Sequence, residues 1–117
     1  MGRSPLGSQK SVKQKANATE KQLAKDLGGH RVPNSGSIDG LKGDVSTDDF
    51  LIDSKETGSR QLMVTGQMIN KITKEAREAG KNPALVLTLG QVPLGTARQW
   101  VCIPLHVFQE MTNGPAE

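Results

Sequence analysis

The sequence predicts an α/β fold in which a mixed central sheet is flanked by helices. Three segments with helical periodicity are interspersed with short apolar segments that are typical of strands, and no unit of this order is repeated. Residues 84–89 are nearly continuous in apolar character, which is typical of a strand buried on both faces of a sheet. A chain of 117 residues suits one compact domain with a modest core.

The N-terminal half predicts one helix followed by a hairpin. Apolar residues at helical spacing favour a helix over residues 11–27, and Gly28-Gly29 supplies its end. Residues 30–43 are rich in Gly, Ser, Pro and Asn and contain at most a short strand. Two strands then follow, over residues 44–46 and 50–55, and a polar turn joins them.

The C-terminal half predicts a second helix, two strands and a short last helix. The second helix has one apolar face and ends at Gly80 to Pro83. Residues 84–89 and 99–103 are the strands, so we expect the sheet to be covered on both sides. The last helix, over residues 106–111, would pack three side chains on the core: Val107, Phe108 and Met111. The apolar face of the second helix consists of Val64, Met68, Ile69, Ile72, Ala76 and Ala79.

Residues 1–10 combine Gly, Pro, Ser and basic residues without an apolar period, and we expect them to form a flexible basic arm. One domain would then cover residues 11–112, and residues 113–117 would form a disordered tail.

The composition does not indicate a membrane or disulfide-bonded class. No apolar run approaches the roughly 20 residues that span a bilayer, and residues 1–11 lack the apolar stretch of a secretion signal. The single cysteine, Cys102, lies between Val101 and Ile103, which predicts a buried small hydrophobe rather than a nucleophile. We therefore expect a cytoplasmic protein with no membrane partner.

Positive charge is concentrated near the N-terminus. Residues 1–31 carry seven Lys or Arg against two acids, a net +5, whereas the remainder carries eight against ten, a net −2. A basic end can displace counterions from DNA while clustered carboxylates hold a cation, and we expect Lys13, Lys15 and Arg31 to contact DNA. The alternative is a solvated basic tail without a partner.

The chemistry-bearing residues cluster in the predicted hairpin. Asp53 and Lys55 are two residues apart, and because strand side chains alternate, both project from the same face. Phe50 and Ile52 face the opposite way and can anchor the strand in the core. Asp44 lies nine residues before Asp53, so a hairpin can bring its carboxylate back towards that residue.

Two carboxylates that meet in this way repel each other unless a cation joins them. Mg2+ takes a few carboxylate oxygens and keeps positions open for water and a phosphate. Lys55 near that water would stabilise negative charge or take up a proton. The trio of Asp44, Asp53 and Lys55 therefore predicts a Mg2+- or Mn2+-dependent phosphodiesterase, in which water attacks in line with the leaving 3′ oxygen of DNA.

The hairpin residues, Gly43-Asp44 followed by Ile52-Asp53-Ser54-Lys55, resemble the signature of the restriction-endonuclease-like nucleases. In that superfamily, an acid on one strand is followed by an acid-x-Lys on the next. The wider order of a helix with Glu20, a Ser-Gly loop, two acids and a Lys, then a helix and an apolar strand, is similar to the archaeal-type and phage Holliday junction resolvases. The resemblance covers about residues 17–110.

The sequence departs from the family pattern in two places. Its first acid follows Gly43 rather than Pro. The Gln-x-x-x-Tyr element of the exonuclease branch is missing, because Gln67 is followed four residues later by Lys71. The second departure argues against an end-processing exonuclease.

The resemblance implies a restriction-endonuclease-like three-layer core and a site in which Glu20 supports the metal, often through water. Ser35 and Ser37 would contact the metal shell or a DNA phosphate, and Lys42 beside the site would grip a phosphate. A branched four-way junction is the implied substrate and a homodimer the implied assembly, because two-fold symmetry in the enzyme would match that of the junction. The host would be a prokaryotic or phage-infected cell.

Other interpretations remain for these residues. Glu20 fits a capping box if the helix starts at Asn17, although a carboxylate on the apolar face of that helix would be costly to bury unpaired. Asp53 and Lys55 could merely form a salt bridge on a solvent-facing strand, and Asp44 could be a turn residue. The Ser-Gly loop could be a plain flexible turn, and Lys42 could be solvated.

Two other functions also fit this pattern. One is a nicking or restriction-like endonuclease that acts on duplex DNA. The other is a non-catalytic DNA-binding module of the same fold.

Overall fold

The computed structural model describes the backbone of residues 12–32 and 44–114, and the side chains of residues 18–32 and 44–114. The predicted arm, residues 1–10, and residues 115–117 of the predicted tail lie outside the described residues. The elements, in chain order, are α1 (Val12–Leu27), β1 (His30–Arg31), β2 (Val45–Ser46), β3 (Phe50–Thr57), α2 (Gly66–Ala79), β4 (Asn82–Leu89), β5 (Gln99–Cys102) and α3 (Leu105–Asn113).

The described strands form one five-stranded sheet in the order β1-β2-β3-β4-β5. Strands β1 to β3 are antiparallel neighbours, as the predicted hairpin requires. Strands β3 and β4 are parallel, and α2 connects them, whereas β4 and β5 are antiparallel. The sheet is therefore mixed, as predicted.

Helices α1 and α2 end where the sequence contains glycine. Gly28 and Gly80 adopt left-handed φ angles of 69° and 71°, a conformation that side chains with a Cβ rarely adopt. The amide of Gly29 donates to Ala24 O at 2.9 Å, and that of Lys81 donates to Ala76 O at 2.8 Å. Both helix ends therefore satisfy carbonyl groups that would otherwise lack a helical partner.

The two longer helices cover opposite faces of the sheet. On one face, Ile52 of β3 joins a buried cluster with Leu23 and Ala24 of α1. On the other face, Leu51 joins a buried cluster with Ile72 of α2, together with Ala76 and Leu85. Because neighbouring residues of β3 serve the two clusters, the protein has three layers, and the predicted α/β architecture is confirmed.

The start of α2 differs from the sequence prediction. Thr65 is the N-cap, and its hydroxyl accepts a hydrogen bond from the amide of Met68 at 3.2 Å, so Val64 precedes the helix instead of joining its apolar face. Ile69 is half exposed, whereas Ile72 and Ala76 are buried. The face of α2 that contacts the sheet is therefore narrower than predicted.

The prediction that the sheet is covered on both sides is wrong at β5, the last strand of the described sheet. All four residues of β5 are exposed, so Cys102 is exposed rather than buried. In α3, Val107 is buried, but Phe108 and Met111 are 52% and 62% exposed. An apolar segment favours burial without specifying the element that covers it, and these side chains are left uncovered by the described part of the chain.

Candidate active site

The β2–β3 hairpin brings Asp44 and Asp53 together. Asp44 directly precedes β2, in which Val45 pairs with Ile52 in the antiparallel register, and its carboxyl group lies within hydrogen-bonding range of that of Asp53. The amide of Asp44 donates to Ile52 O at 2.8 Å, and the amide of Ser54 donates to Asp44 Oδ2 at 2.7 Å. The backbone of β3 thereby holds the Asp44 carboxylate beside Asp53.

Lys55 completes the predicted trio. Its Nζ lies 3.3 Å from Asp53 Oδ2, and the two side chains are 40% and 9% exposed, respectively. The strand supporting them is anchored by Leu51 on the same face, under α2. The structure therefore brings together Asp44, Asp53 and Lys55, with the lysine head open to solvent and Asp53 nearly enclosed.

The electrostatic environment of Asp53 disfavours a negative charge. Burial is the largest cause that raises the pKa of Asp53, and the hydrogen bond and charge of Asp44 raise it further. The ammonium group of Lys55 lowers this pKa and offsets part of the effect, so that it reaches about 6 from an ordinary value of 3.8. Such a shift at a paired carboxylate is common at functional sites, although structural ion pairs also produce it.

Glu20 approaches the same region from α1. Its Oε1 lies 3.3 Å from the Arg31 guanidinium, and its side chain is 15% exposed. Burial raises the pKa of Glu20 first and the charge of Asp44 raises it second, whereas Arg31 lowers it. Glu20 is therefore within electrostatic range of Asp44, and Arg31, which we expected to contact DNA, is engaged in an ion pair with Glu20.

The capping-box interpretation of Glu20 is excluded by the position of the helix start. Helix α1 begins at Val12, so Asn17 lies inside the helix and cannot be its N-cap. The partly buried carboxylate of Glu20 is instead explained by its ion pair with Arg31.

Sequence reasoning overlooked two charged residues of α2, Lys71 and Glu75. Lys71 Nζ lies 3.1 Å from Glu75 Oε2. The hydrogen bond to Glu75 is the largest cause that raises the pKa of Lys71, and the charges of Asp53 and Asp44 also raise it. In the sequence, Lys71 directly precedes Ile72, a residue of the predicted apolar face of this helix. Only the packing of α2 shows which face of the sheet this turn of the helix overlies.

Five predicted site residues cannot be placed. Ser35, Ser37 and Lys42 lie in the gap between residues 32 and 44, and the side chains of Lys13 and Lys15 precede the first described side chain. Their expected contacts with metal or DNA stay predictions.

The donor set fits a divalent cation of the Mg2+ type. Within residues 18–32 and 44–114, no three or more His, Cys, Asp or Glu side chains are grouped so that they could hold a metal by themselves. Mg2+ is commonly held by one or two carboxylates together with water and substrate phosphates. Asp44 and Asp53 supply two such carboxylates side by side.

Comparisons with known proteins identify the fold. No family model and no curated protein matches the chain. Its structure is similar to that of Hjc, a Holliday junction resolvase from the archaeal hyperthermophile Archaeoglobus fulgidus, with a TM-score of 0.57 and 18% sequence identity over 76% of this chain and 75% of that chain. None of the described helices is both long and apolar enough to cross a bilayer. The chain therefore has the α/β fold of that nuclease, with a mixed five-stranded sheet flanked by helices.

Proposed function

We propose that this protein is a divalent-metal-dependent DNA endonuclease whose substrate is a four-way junction. The observation that carries the proposal is the position of the Asp44 carboxyl group beside that of Asp53, with Lys55 Nζ 3.3 Å from the Asp53 carboxylate. The fold likeness to a resolvase adds support. Both the paired acids and the adjoining lysine are what metal-assisted hydrolysis of a phosphodiester needs.

Each residue of the trio has a distinct role in this proposal. Asp44 and Asp53 hold Mg2+ or Mn2+, and the Ser54 amide keeps Asp44 oriented. When bound, such a cation supplies Lewis-acid polarisation of a phosphate oxygen and increases the acidity of a water molecule. Lys55 stabilises the developing negative charge on the phosphate or accepts a proton from the attacking water. Cleavage of the bond to the 3′ oxygen leaves a 5′-phosphate and a 3′-hydroxyl.

Glu20 and Arg31 act at the margin of this site. The Glu20 carboxylate supports the metal through water, which its electrostatic coupling to Asp44 favours. Arg31 shields this carboxylate in the metal-free protein, and its planar guanidinium is a group that binds phosphate well.

The assembly we propose is a homodimer, consistent with cleavage of a symmetric junction. The exposed apolar residues of β5 and α3 form the candidate interface, since β5 is the last strand of the described sheet and its edge can pair with another chain. Three of them, Trp100, Val101 and Met111, line an apolar cavity of about 380 Å³. The exposed apolar residues are Trp100, Val101, Leu105, Phe108 and Met111.

Cleavage assays on matched DNA substrates test this function. A four-way junction and a linear duplex of the same sequence are incubated with Mg2+, Mn2+ or EDTA, using wild type, Asp53→Asn and Asp48→Asn. Asp48 is an exposed acid in the same hairpin, so its substitution removes the same charge away from the site. We expect wild type and Asp48→Asn to cleave the junction only with a divalent ion, and Asp53→Asn to bind the junction without cutting it.

Other outcomes distinguish the remaining functions. Equal cleavage of junction and duplex indicates a nicking or restriction-like endonuclease. Binding without cleavage by wild type in every divalent ion indicates a non-catalytic DNA-binding module and overturns the enzyme proposal.

A further inference from the structure

Helix α2 overlies the face of the sheet on which Asp53 lies. Its buried residue Ile72 clusters with Leu51 of β3 and Leu85 of β4. Leu85 is the parallel register partner of Asp53, and Leu51 shares a face with Asp53 because strand residues two apart point the same way. The turn of α2 that contains Lys71 and Ile72 is therefore next to the candidate active site.

Lys71 projects from this turn as part of an ion pair. Its Nζ is 3.1 Å from Glu75 Oε2, and its side chain is 62% exposed whereas that of Glu75 is 12% exposed. In helices, a Glu placed four residues before a Lys stabilises more than the reverse order seen here. The pair is therefore poorly explained as a helix-stabilising device, but it does orient an ammonium group that remains open to solvent.

The negative charges of Asp44 and Asp53 act on Lys71. Asp53 and Asp44 both contribute to the raised pKa of Lys71, after the larger contribution of Glu75. Counted as formal charges, the carboxylates of Asp44, Asp53 and Glu75 outnumber the ammonium groups of Lys55 and Lys71 by one. A divalent cation reverses this balance to a net +1, which attracts a phosphodiester.

We propose that Lys71 binds a non-bridging oxygen of the DNA phosphate at the Asp44 and Asp53 site, and that Glu75 positions its ammonium group. This inference rests on the proposed nuclease function and adds α2 to a site that the first helix and the hairpin were expected to supply. Lys55 and Lys71 then have different positions. Lys55 lies on β3 and contacts Asp53 directly, whereas Lys71 lies on α2 and pairs with Glu75 of the same helix.

A matched pair of lysine variants tests the proposal. Lys71→Ala is compared with Lys74→Ala, which removes the same charge from an exposed position on the same helix. Single-turnover cleavage of the junction is followed in Mg2+, and junction binding is measured in Ca2+ over a range of salt concentrations, with gels confirming that the DNA stays intact. Lys71→Arg and Glu75→Gln are included, and thermal unfolding confirms that each variant is folded.

We expect Lys71→Ala to lower the single-turnover rate roughly 10- to 100-fold, the usual cost of losing a hydrogen bond to a charged group, and to lower the salt slope of binding by about 1. Lys71→Arg should retain more activity than Lys71→Ala, and Glu75→Gln should fall between wild type and Lys71→Ala. Lys74→Ala should stay within about twofold of wild type, as a solvated surface charge does.

Two failures have separate meanings. If wild type cleaves the junction and Lys71→Ala behaves like Lys74→Ala in both rate and salt slope, the role of Lys71 is overturned and the nuclease function stands. If wild type cleaves no DNA with any divalent ion, the nuclease function and this inference both fall.

Discussion

The Asp44 carboxylate lies beside that of Asp53 and accepts a 2.7 Å hydrogen bond from the amide that follows Asp53. Two negative charges held this close repel each other. The arrangement therefore has a cost in the metal-free protein, and a cation that joins the two carboxylates removes that cost.

Stability of the metal-free protein should fall as the pH rises through about 6. The folded-state pKa of Asp53 is raised from 3.8 to about 6, so its contribution to folding is fully present below 3.8 and is lost above 6. Asp53→Asn is neutral at every pH and should exceed wild type by about 3 kcal/mol at pH 8, with the gap closing towards pH 4. Urea unfolding in EDTA measures the difference, and a gap that does not change with pH would contradict this origin.

Mg2+ or Mn2+ should raise the unfolding temperature of wild type at pH 8. A ligand at ten times its dissociation constant stabilises the folded state by about 1.4 kcal/mol. Asp53→Asn should lose this effect, and Asp48→Asn should keep it. At pH 5 the shift should shrink because the Asp53 carboxyl is protonated. Differential scanning fluorimetry reports the shift, and an equal shift in Asp53→Asn would remove Asp53 from the metal site.

Lys55→Ala should lose cleavage while keeping metal binding. Lys55 contacts Asp53 but carries no group that can bind a cation when protonated. Loss of a proton-transferring or charge-stabilising group costs on the order of 100-fold or more in rate. Single-turnover rates and the Mg2+-dependent unfolding temperature are measured on the same preparation, with Lys74→Ala as the control. Loss of the thermal shift in Lys55→Ala would assign the residue to metal binding instead.

Phe108→Glu should convert the proposed dimer to a monomer without unfolding it. Phe108 is 52% exposed, whereas its neighbour Val107 is buried and unchanged in the variant. A charge at the centre of an apolar interface is left desolvated and unpaired, which strongly disfavours association. Light scattering coupled to gel filtration measures the mass, and Gln109→Glu, on the same helix, should leave it unchanged. A wild-type mass of one chain at all concentrations would refute the dimer.

The features that depend on short-range rules could be predicted before any tertiary contact was known. Strand alternation places Asp53 and Lys55 on one face whatever the remainder of the chain does, and the glycines at 28 and 80 end their helices because they adopt left-handed φ angles. The hairpin spacing also predicted the approach of Asp44, whose carboxylate accepts a hydrogen bond from the amide that follows Asp53.

Which elements pack next to the site residues depends on the tertiary structure. The periodicity of α2 identified an apolar face but could not specify which side of the sheet it would cover, and packing placed Ile72, the neighbour of Lys71, on the face of Leu51. Arg31 was predicted only as a DNA contact, and the fold also places its guanidinium 3.3 Å from Glu20. The apolar residues of β5 and α3 have the composition of a core, yet much of their surface is exposed. A hydrophobic pattern indicates that a surface disfavours contact with water. Only the arrangement of the neighbouring elements determines what covers that surface.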